Sequence, residues 1–331
     1  LQPGRYVGEL ALLDQAPRMA TCRAKTPITV LRYDQAQFIS LMRQQPAVAS
    51  LVLQHVISNM RGQDQLIIKE LRNTNEALRR AYSDLQEAQA DLVEKERMEH
   101  ELSLAAAAQQ SLLPGALPDL PPYSFAAYQR PARQVGGDFY DVIALDEDHI
   151  GLLLADVADK GLHAALIMAV ARTLFRTEAR RSLSPAEVAL AVHRGLLDLD
   201  RTQETFLTAF YGVLHRPSGT LTYIRAAHEK PLLLRPGSPV SILEGGNRFL
   251  GMLVDLELTE YQTVLQTDDR LLLFSDGVPD ATNRRDEAYG YERLRTSCAH
   301  FQSYTAETLV DALVADIDQW TGRAEAFDDL T

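Results

Sequence analysis

Aspartates recur in four short motifs from residue 136 onward. These are Gly136-Gly137-Asp138-Phe139-Tyr140-Asp141, Asp156 after Leu152-Leu153-Leu154-Ala155, Ser275-Asp276-Gly277, and Asp328-Asp329-Leu330-Thr331. Asp156 and Asp276 follow the apolar runs 151–155 and 271–274, which read as short buried strands. Strand ends project side chains from the rim of a sheet, so acids remote in sequence can meet there. Carboxylates gathered in a small volume at neutral pH need cations to hold them or protons to neutralise them. The pattern therefore predicts an oxygen-ligand metal centre, suited to hard ions such as Mg2+ or Mn2+, which commonly handle phosphate. Taken singly, each motif is also an ordinary turn or helix cap. Their order and their place after strands favour chemistry.

The chain that must position these acids has 331 residues, enough for two or more domains. Hydrophobic residues at 46% and charged residues at 24% describe a protein with an ordinary core. A net charge of −12 argues against binding nucleic acid or an anionic membrane, and a phosphorylated substrate would be repelled unless metal ions reverse the local sign. No stretch approaches the ~20 apolar residues of a membrane span. Cys22 and Cys298 show no pairing pattern and are expected to be reduced, half-buried thiols of a cytoplasmic protein. The chain opens at Leu1 without a methionine or signal peptide, so its start is expected further upstream. Thr331 falls where a closing strand would begin, so C-terminal truncation is expected too.

Residues 1–33 are strand-like and turn-rich, and from Asp34, a good N-cap, the pattern turns helical. Pro46 punctuates, and residues 47–113 then run without proline and with a single Gly62. Leu71, Leu78, Leu85 and Leu92 recur every seven residues, with Ile67, Ala81, Ala88 and Leu102 at the other seam position. This heptad predicts a coiled coil and a parallel homodimer; Asp64, Lys95 and Glu99 interrupt its seam. The alternative is one amphipathic helix lying on a globular core. Pro114, Pro118, Pro121 and Pro122 end the coil. Beyond them, strands are expected near 149–155, 206–215, 220–226, 231–234, 261–266 and 270–274, with helices near 162–180, 184–199 and 305–320. Ser184-Pro185-Ala186-Glu187 reads as a capping box, and Pro217-Ser218-Gly219 as a hairpin turn. Mostly antiparallel strands with inserted helix pairs predict an α+β domain.

The four motifs in this order resemble the SpoIIE-type branch of the metal-dependent protein phosphatases (PPM). Ala155-Asp156-Val157-Ala158-Asp159-Lys160-Gly161 and Phe274-Ser275-Asp276-Gly277-Val278 carry the resemblance, with Gln109-Gln110-Ser111-Leu112-Leu113-Pro114 as the usual opening of the domain. Ala226-Ala227-His228-Glu229-Lys230-Pro231-Leu232 is similar to its mid-domain hairpin, although Arg225, Ala227 and Glu229 depart from the usual residues. The resemblance spans about residues 105–331 and implies a PPM-type β-sandwich flanked by helix layers. It implies two ions, Mn2+ or Mg2+, with Asp156 bridging both and the Val157 carbonyl completing one shell. Asp138, Asp276 and Asp328 would be the other ligands and Asp329 a less certain one, with Asp141 structural. Ala158 stands where eukaryotic members carry a histidine that protonates the leaving group, so the general acid is left unnamed; Lys160 and His163 are nearby candidates.

Val7-Gly8-Glu9-Leu10-Ala11-Leu12-Leu13 and Pro17-Arg18-Met19-Ala20-Thr21 resemble the phosphate-binding cassette of cyclic-nucleotide-binding domains. A short helix near Leu10 would point N–H groups at an anion, Arg18 could pair a phosphate, and Glu9 could accept from a ribose hydroxyl. Met19 in place of Thr or Ser favours cAMP. A turn with a surface Glu and Arg is the plainer alternative. The expected organisation is thus 1–45, the C-terminal part of a sensor with a β-roll fragment; 46–113, a coiled-coil signalling helix; and 114–331, the phosphatase domain.

The resemblance implies a bacterial serine/threonine phosphoprotein phosphatase acting on a STAS-type anti-anti-sigma protein and controlled through the coil. Two other functions compete. Gly136-Gly137-Asp138-Phe139 is similar to the GGDEF signature of diguanylate cyclases, which have no use for Ser-Asp-Gly and Asp-Asp-Leu-Thr far downstream. A catalytically inactive PPM-fold adaptor is the non-enzymatic alternative, against which the retained Asp138, Asp156, Asp276 and Asp328 speak.

Overall fold

The computed structural model describes residues 6–199, 205–322, 324 and 326–331. The chain divides into two units, Leu1–Glu94 and Lys95–Thr331. In the first, α1 (Leu10–Leu13) precedes α2 (Gln35–Gln44) and the start of α3 (Pro46–Leu112). Asp34 caps α2 reciprocally: its carboxylate accepts from Gln37 N–H at 2.8 Å, and the Gln37 side chain accepts from Asp34 N–H at 3.0 Å. Pro46 opens α3, where a missing N–H costs nothing. The strands expected before residue 34 do not form among residues 6–33. Extended backbone needs a neighbouring strand for its ladder, and this stretch pairs with none among the described residues. Residues 1–5 of that expectation lie outside the described residues.

At about 1.5 Å per residue, α3 extends roughly 100 Å. Leu71, Leu78, Leu85 and Leu92 are each 60–68% exposed, so this chain provides no core beneath them. The alternative of a helix lying on its own globular core is not what the chain forms.

The second unit contains β1 (Phe139–Ala144), β2 (His149–Val157), α4 (Leu162–Glu178), α5 (Pro185–Leu199), β3 (Leu207–His215) and β4 (Thr220–Ala226). These are followed by β5 (Leu232–Leu234), β6 (Ser241–Ile242), β7 (Tyr261–Val264), β8 (Arg270–Leu272), α6 (Tyr291–His300) and α7 (Ala306–Thr321). Five strands form an antiparallel sheet in the order β1-β2-β3-β4-β7, and three form a second in the order β6-β5-β8. β2 is buried almost throughout because both its faces are covered. Leu153, Ala155 and Val157 pack with Phe175, Val188 and Val192 of α4 and α5. Ile150 and Leu152 turn the other way, joining Phe210, Tyr223 and Leu233 in a second cluster. The second sheet is covered in turn by Leu294 of α6 and by Leu309, Leu313 and Ile317 of α7. The result is the α+β architecture of helix-covered antiparallel sheets.

Several local expectations change. The capping box at α5 is only half made: Ser184 Oγ accepts from Glu187 N–H, but the Glu187 carboxylate takes the Ser182 hydroxyl instead of the Ser184 N–H. β1 was masked in the sequence by Asp141, a buried acid in a strand, which Arg172 and Arg176 of α4 pair at 2.7 and 2.9 Å. α6 is largely polar, with only Leu294 and Cys298 buried, and its periodicity is correspondingly faint. The two cysteines are free, Cys22 exposed and Cys298 fully buried, and neither is half-buried.

Candidate metal centre

Asp138 stands just before β1 and Asp156 just before the end of β2. Because Phe139 lies opposite Ala155 in the antiparallel ladder, both acids reach the same end of the sheet. Asp276 follows β8, and Ser275 beside it fastens the last residues of the chain. Ser275 N–H donates to Thr331 O at 3.1 Å, and Thr331 N–H donates to Ser275 Oγ at 3.2 Å. Leu330 exchanges two backbone bonds with Arg130, at 2.8 and 2.9 Å. Asp328 and Asp329 are carried in on this tether.

The acids affect one another strongly. Burial, and then the charge of Asp156, pushes Asp138 well above the usual carboxylate range. Burial, followed by Asp276 and Asp328, pushes Asp156 up to about 7. Burial, followed by Asp328, Asp280 and Glu229, pushes Asp276 up to about 6. In the protein alone, these carboxylates share too little water to ionise freely.

Asp329 has a different role. Its Oδ1 accepts from Ala132 N–H at 2.8 Å, while Oδ2 accepts from Gly137 N–H at 2.7 Å and Asp138 N–H at 3.3 Å. It is a buried clamp on the loop that presents Asp138. The glycines of two motifs make room for it: a Cβ on Gly136 would collide with the Asp329 carboxylate, and one on Gly277 with its carbonyl. A Cβ on Gly137 would come within 2.7 Å of the Val157 carbonyl, so that oxygen borders the same loop. Gln109, near the end of α3, grips the loop from outside. Its amide donates to Gly136 O at 2.6 Å and accepts from Gly136 N–H at 3.1 Å.

Lys160 lies in the turn between β2 and α4 and pairs with Asp328 Oδ2 at 2.9 Å. It also donates to Phe327 O at 2.6 Å and sits 4.3 Å from the centre of the Phe327 ring. His163 is exposed, 3.7 Å from Asp159. His228 is buried against Thr208 at 2.8 Å, and burial lowers its pKa to about 3. Glu229 accepts from the Tyr291 hydroxyl.

The expected ligands Asp138, Asp156, Asp276 and Asp328 are thus brought together, with the Val157 carbonyl beside them. Glu9 and Arg18 belong to the other unit, where Glu9 precedes α1 and the Arg18 guanidinium lies against Gly8. Among the described residues, no group of three or more His, Cys, Asp or Glu side chains is placed so that it could hold a metal ion. The donor chemistry nevertheless fits a hard divalent ion: the donors are carboxylate and carbonyl oxygens, and Asp138 Oδ2 is buried without a hydrogen-bond partner. Sequence reasoning missed the clamp by Asp329, the grip of Gln109 and the pairing of Lys160. The doubled glycine was the available signal for the first.

Residues 146–331, more than half of the chain, match the family model Stage II sporulation protein E (SpoIIE), a span that includes Asp156, Asp276 and Asp328. Residues 1–45 match the model Cyclic nucleotide-binding domain. Protein IcfG of Synechocystis sp. is 29% identical over 70% of this chain and 40% of its own length. Phosphoserine phosphatase RsbU of Bacillus subtilis is 28% identical over 56% of this chain and 55% of its own length. The chain therefore spans about half the length of these relatives, or less. The fold is similar to that of the SiaA-PP2C domain of Pseudomonas aeruginosa, with a TM-score of 0.64 and 21% identity over 71% of this chain and 95% of that one. Phosphatases of the PP2C type are metal-dependent. No helix among the described residues is long and apolar enough to cross a membrane. With its ordered acid motifs, its helix-covered sheets and a family match over more than half its length, the chain belongs to the SpoIIE family.

Proposed function

We propose that this chain is a metal-dependent serine/threonine phosphoprotein phosphatase of bacterial signalling. One observation carries the reading: Asp138, Asp156, Asp276 and Asp328, remote in sequence, gather at one end of the sheet, where burial and then neighbouring carboxylates raise the pKa of each of the first three. The diguanylate cyclase reading gives the two downstream acids no purpose, and an inactive adaptor would gain only repulsion from keeping all four.

In this proposal the four aspartates would hold two divalent ions, Mn2+ or Mg2+, with Asp156 as a ligand common to both and the Val157 carbonyl as a further donor. Bound there, such ions would supply charge that neutralises a phosphate dianion and would make a water more acidic. The protein contributes position. Asp329 and Gln109 fix the backbone of residues 136–138, so Asp138 need not be ordered when an ion arrives. Lys160 restrains Asp328 and offsets part of its charge.

The names of similar proteins, phosphoserine phosphatases RsbU and RsbP among them, support phosphoserine as substrate. We assign the substrate to a phosphorylated STAS-type anti-anti-sigma protein. Residues 1–45 act as part of a sensor, with Glu9 and Arg18 facing a cyclic nucleotide, preferentially cAMP. Residues 46–113 form a homodimeric coiled coil that carries the signal to residues 114–331. The protein works in the cytoplasm, without nucleic-acid or membrane partners.

The test is phosphate release from a phosphoserine-bearing STAS protein with and without Mn2+. Asp156→Asn should lose at least about a thousandfold in kcat, because Asn keeps the size but not the charge that holds the ion. The same change removes a repulsive charge, so the variant stripped of metal should melt no lower than wild type. Undiminished turnover in excess EDTA would rule the reading out.

A further inference from the structure

The other end of β2 has a second arrangement of donors, made of nitrogen. His149 opens β2, His215 closes β3, and the two are directly opposite in the ladder. Their rings stand 5.0 Å apart, inclined at 41°. Asp146 faces His149 Nδ1, with oxygens at 2.9 and 3.0 Å, and a carboxylate can only accept. Ser218 Oγ lies 2.7 Å from His215 Nδ1 and donates its own proton to Thr220 Oγ1 at 2.8 Å. Both Nδ1 atoms therefore carry the proton in the neutral rings. Both Nε2 atoms are left with a lone pair, and neither has a hydrogen-bond partner among the described residues.

We infer that His149 and His215 form a second metal-ion site, for a borderline divalent ion such as Zn2+, Ni2+ or Cu2+. Two imidazoles on one tetrahedral ion, with nitrogens at about 2.0–2.1 Å, set their ring centres roughly 5 Å apart, which agrees with the observed spacing. A ligating histidine is oriented when its other nitrogen donates to a carboxylate or hydroxyl, the arrangement both rings have here. Imidazole selects this class of ion and the all-oxygen acid cluster selects Mg2+ or Mn2+, so one strand sorts two kinds of cation at its two ends. Asp156 stands seven positions along the strand from His149, roughly 23 Å at about 3.3 Å per position. Asp146, Glu147 and Asp148 favour a cation locally. The Arg216 guanidinium opposes it, but its charge is drawn to the carbonyls of Glu147 and Pro121 at 2.7 and 2.6 Å. With two protein ligands, the remaining positions belong to water.

The experiment is calorimetric titration of Zn2+ into the full chain carrying Asp156→Asn, in excess Mg2+ at neutral pH, so that the outcome does not depend on the phosphatase reading. One Zn2+ per chain is expected. His149→Ala and His215→Ala should each weaken binding at least about tenfold, and Ser218→Ala by less. Co2+ should give a visible absorption band that disappears in either histidine variant. Zinc affinity and cobalt spectrum unchanged by both substitutions, in variants that melt like the parent, would overturn the site. So would Zn2+ binding in the parent weaker than roughly 1 mM.

Discussion

The acid cluster and the α3 seam both gather like residues, but one is charged and buried while the other is apolar and exposed. Burial first, and then the charges of neighbouring acids, raise the pKa of Asp138, Asp156 and Asp276 at the end of a sheet. Leu71, Leu78, Leu85 and Leu92 line up on one helix and are each 60–68% exposed among the described residues. Each arrangement is unfavourable for the isolated chain, through repulsion in the first case and through wetted apolar surface in the second. On the function proposed above, the two would be relieved by partners of opposite kinds, a cation inside and another apolar helix outside. They also differ in rigidity. The acids are clamped by Asp329, Gln109 and Ser275, whereas the seam rests on helix geometry alone.

The contrast can be broken most severely at Gly136. Gly136→Ala drives a methyl group into the Asp329 carboxylate and breaks the clamp on residues 136–138. Activity should fall by more than about a hundredfold and stability by roughly 1–3 kcal/mol, read from kcat and from urea midpoints. A variant with normal turnover would show that the clamp does not position Asp138.

At the seam the effect on turnover is smaller and falls on assembly instead. Leu78→Lys with Leu85→Lys should cost several kcal/mol of dimer stability, giving a monomer by light scattering without changing the metal-free phosphatase fold. A wild-type chain that is already monomeric at micromolar concentration would reverse the contrast, leaving the seam to a different partner.

The smallest effect concerns pH. Burial, and then Arg225, lowers His228 to about 3, well below its ordinary value of 6.5. The unfolded chain takes up that proton as pH falls below about 6.5 while the folded chain does not, so stability drops with acid and is unaffected above that value. Between pH 7 and pH 5 the contribution is roughly 2 kcal/mol. Wild type should lose this much more stability than His228→Asn over that range. Equal losses would mean the ring is not held neutral.

What the residues revealed followed the range of the forces involved. The α2 cap, the length of α3 and the hairpin turn at residues 217–219 all depend on neighbours within a few positions, and each was readable. β1 was not, because Asp141 breaks its apolar pattern and is satisfied only by Arg172 and Arg176 of α4. The strands expected before residue 34 failed for the converse reason: their composition suited a sheet, but no described segment pairs with them. Within the site, the motifs identified the four acids but not the duties of the residues around them. Asp328 and Asp329 are adjacent and chemically identical, yet one faces the other acids and Lys160 while the other turns back to bind three backbone N–H groups.

The sequence by itself determined which residues bear charge, where helices start, and that four acid motifs recur in a set order, because these depend on side-chain identity and local backbone preference. Only the tertiary structure decided that Asp138 and Asp156 share a sheet end, that Gly136 and Gly277 make room for Asp329, and that Lys160 reaches Asp328 across 168 positions of chain. Those outcomes depend on ladder register and on the packing of distant segments. Both are set by burial of the whole core, so no short window of residues contains them.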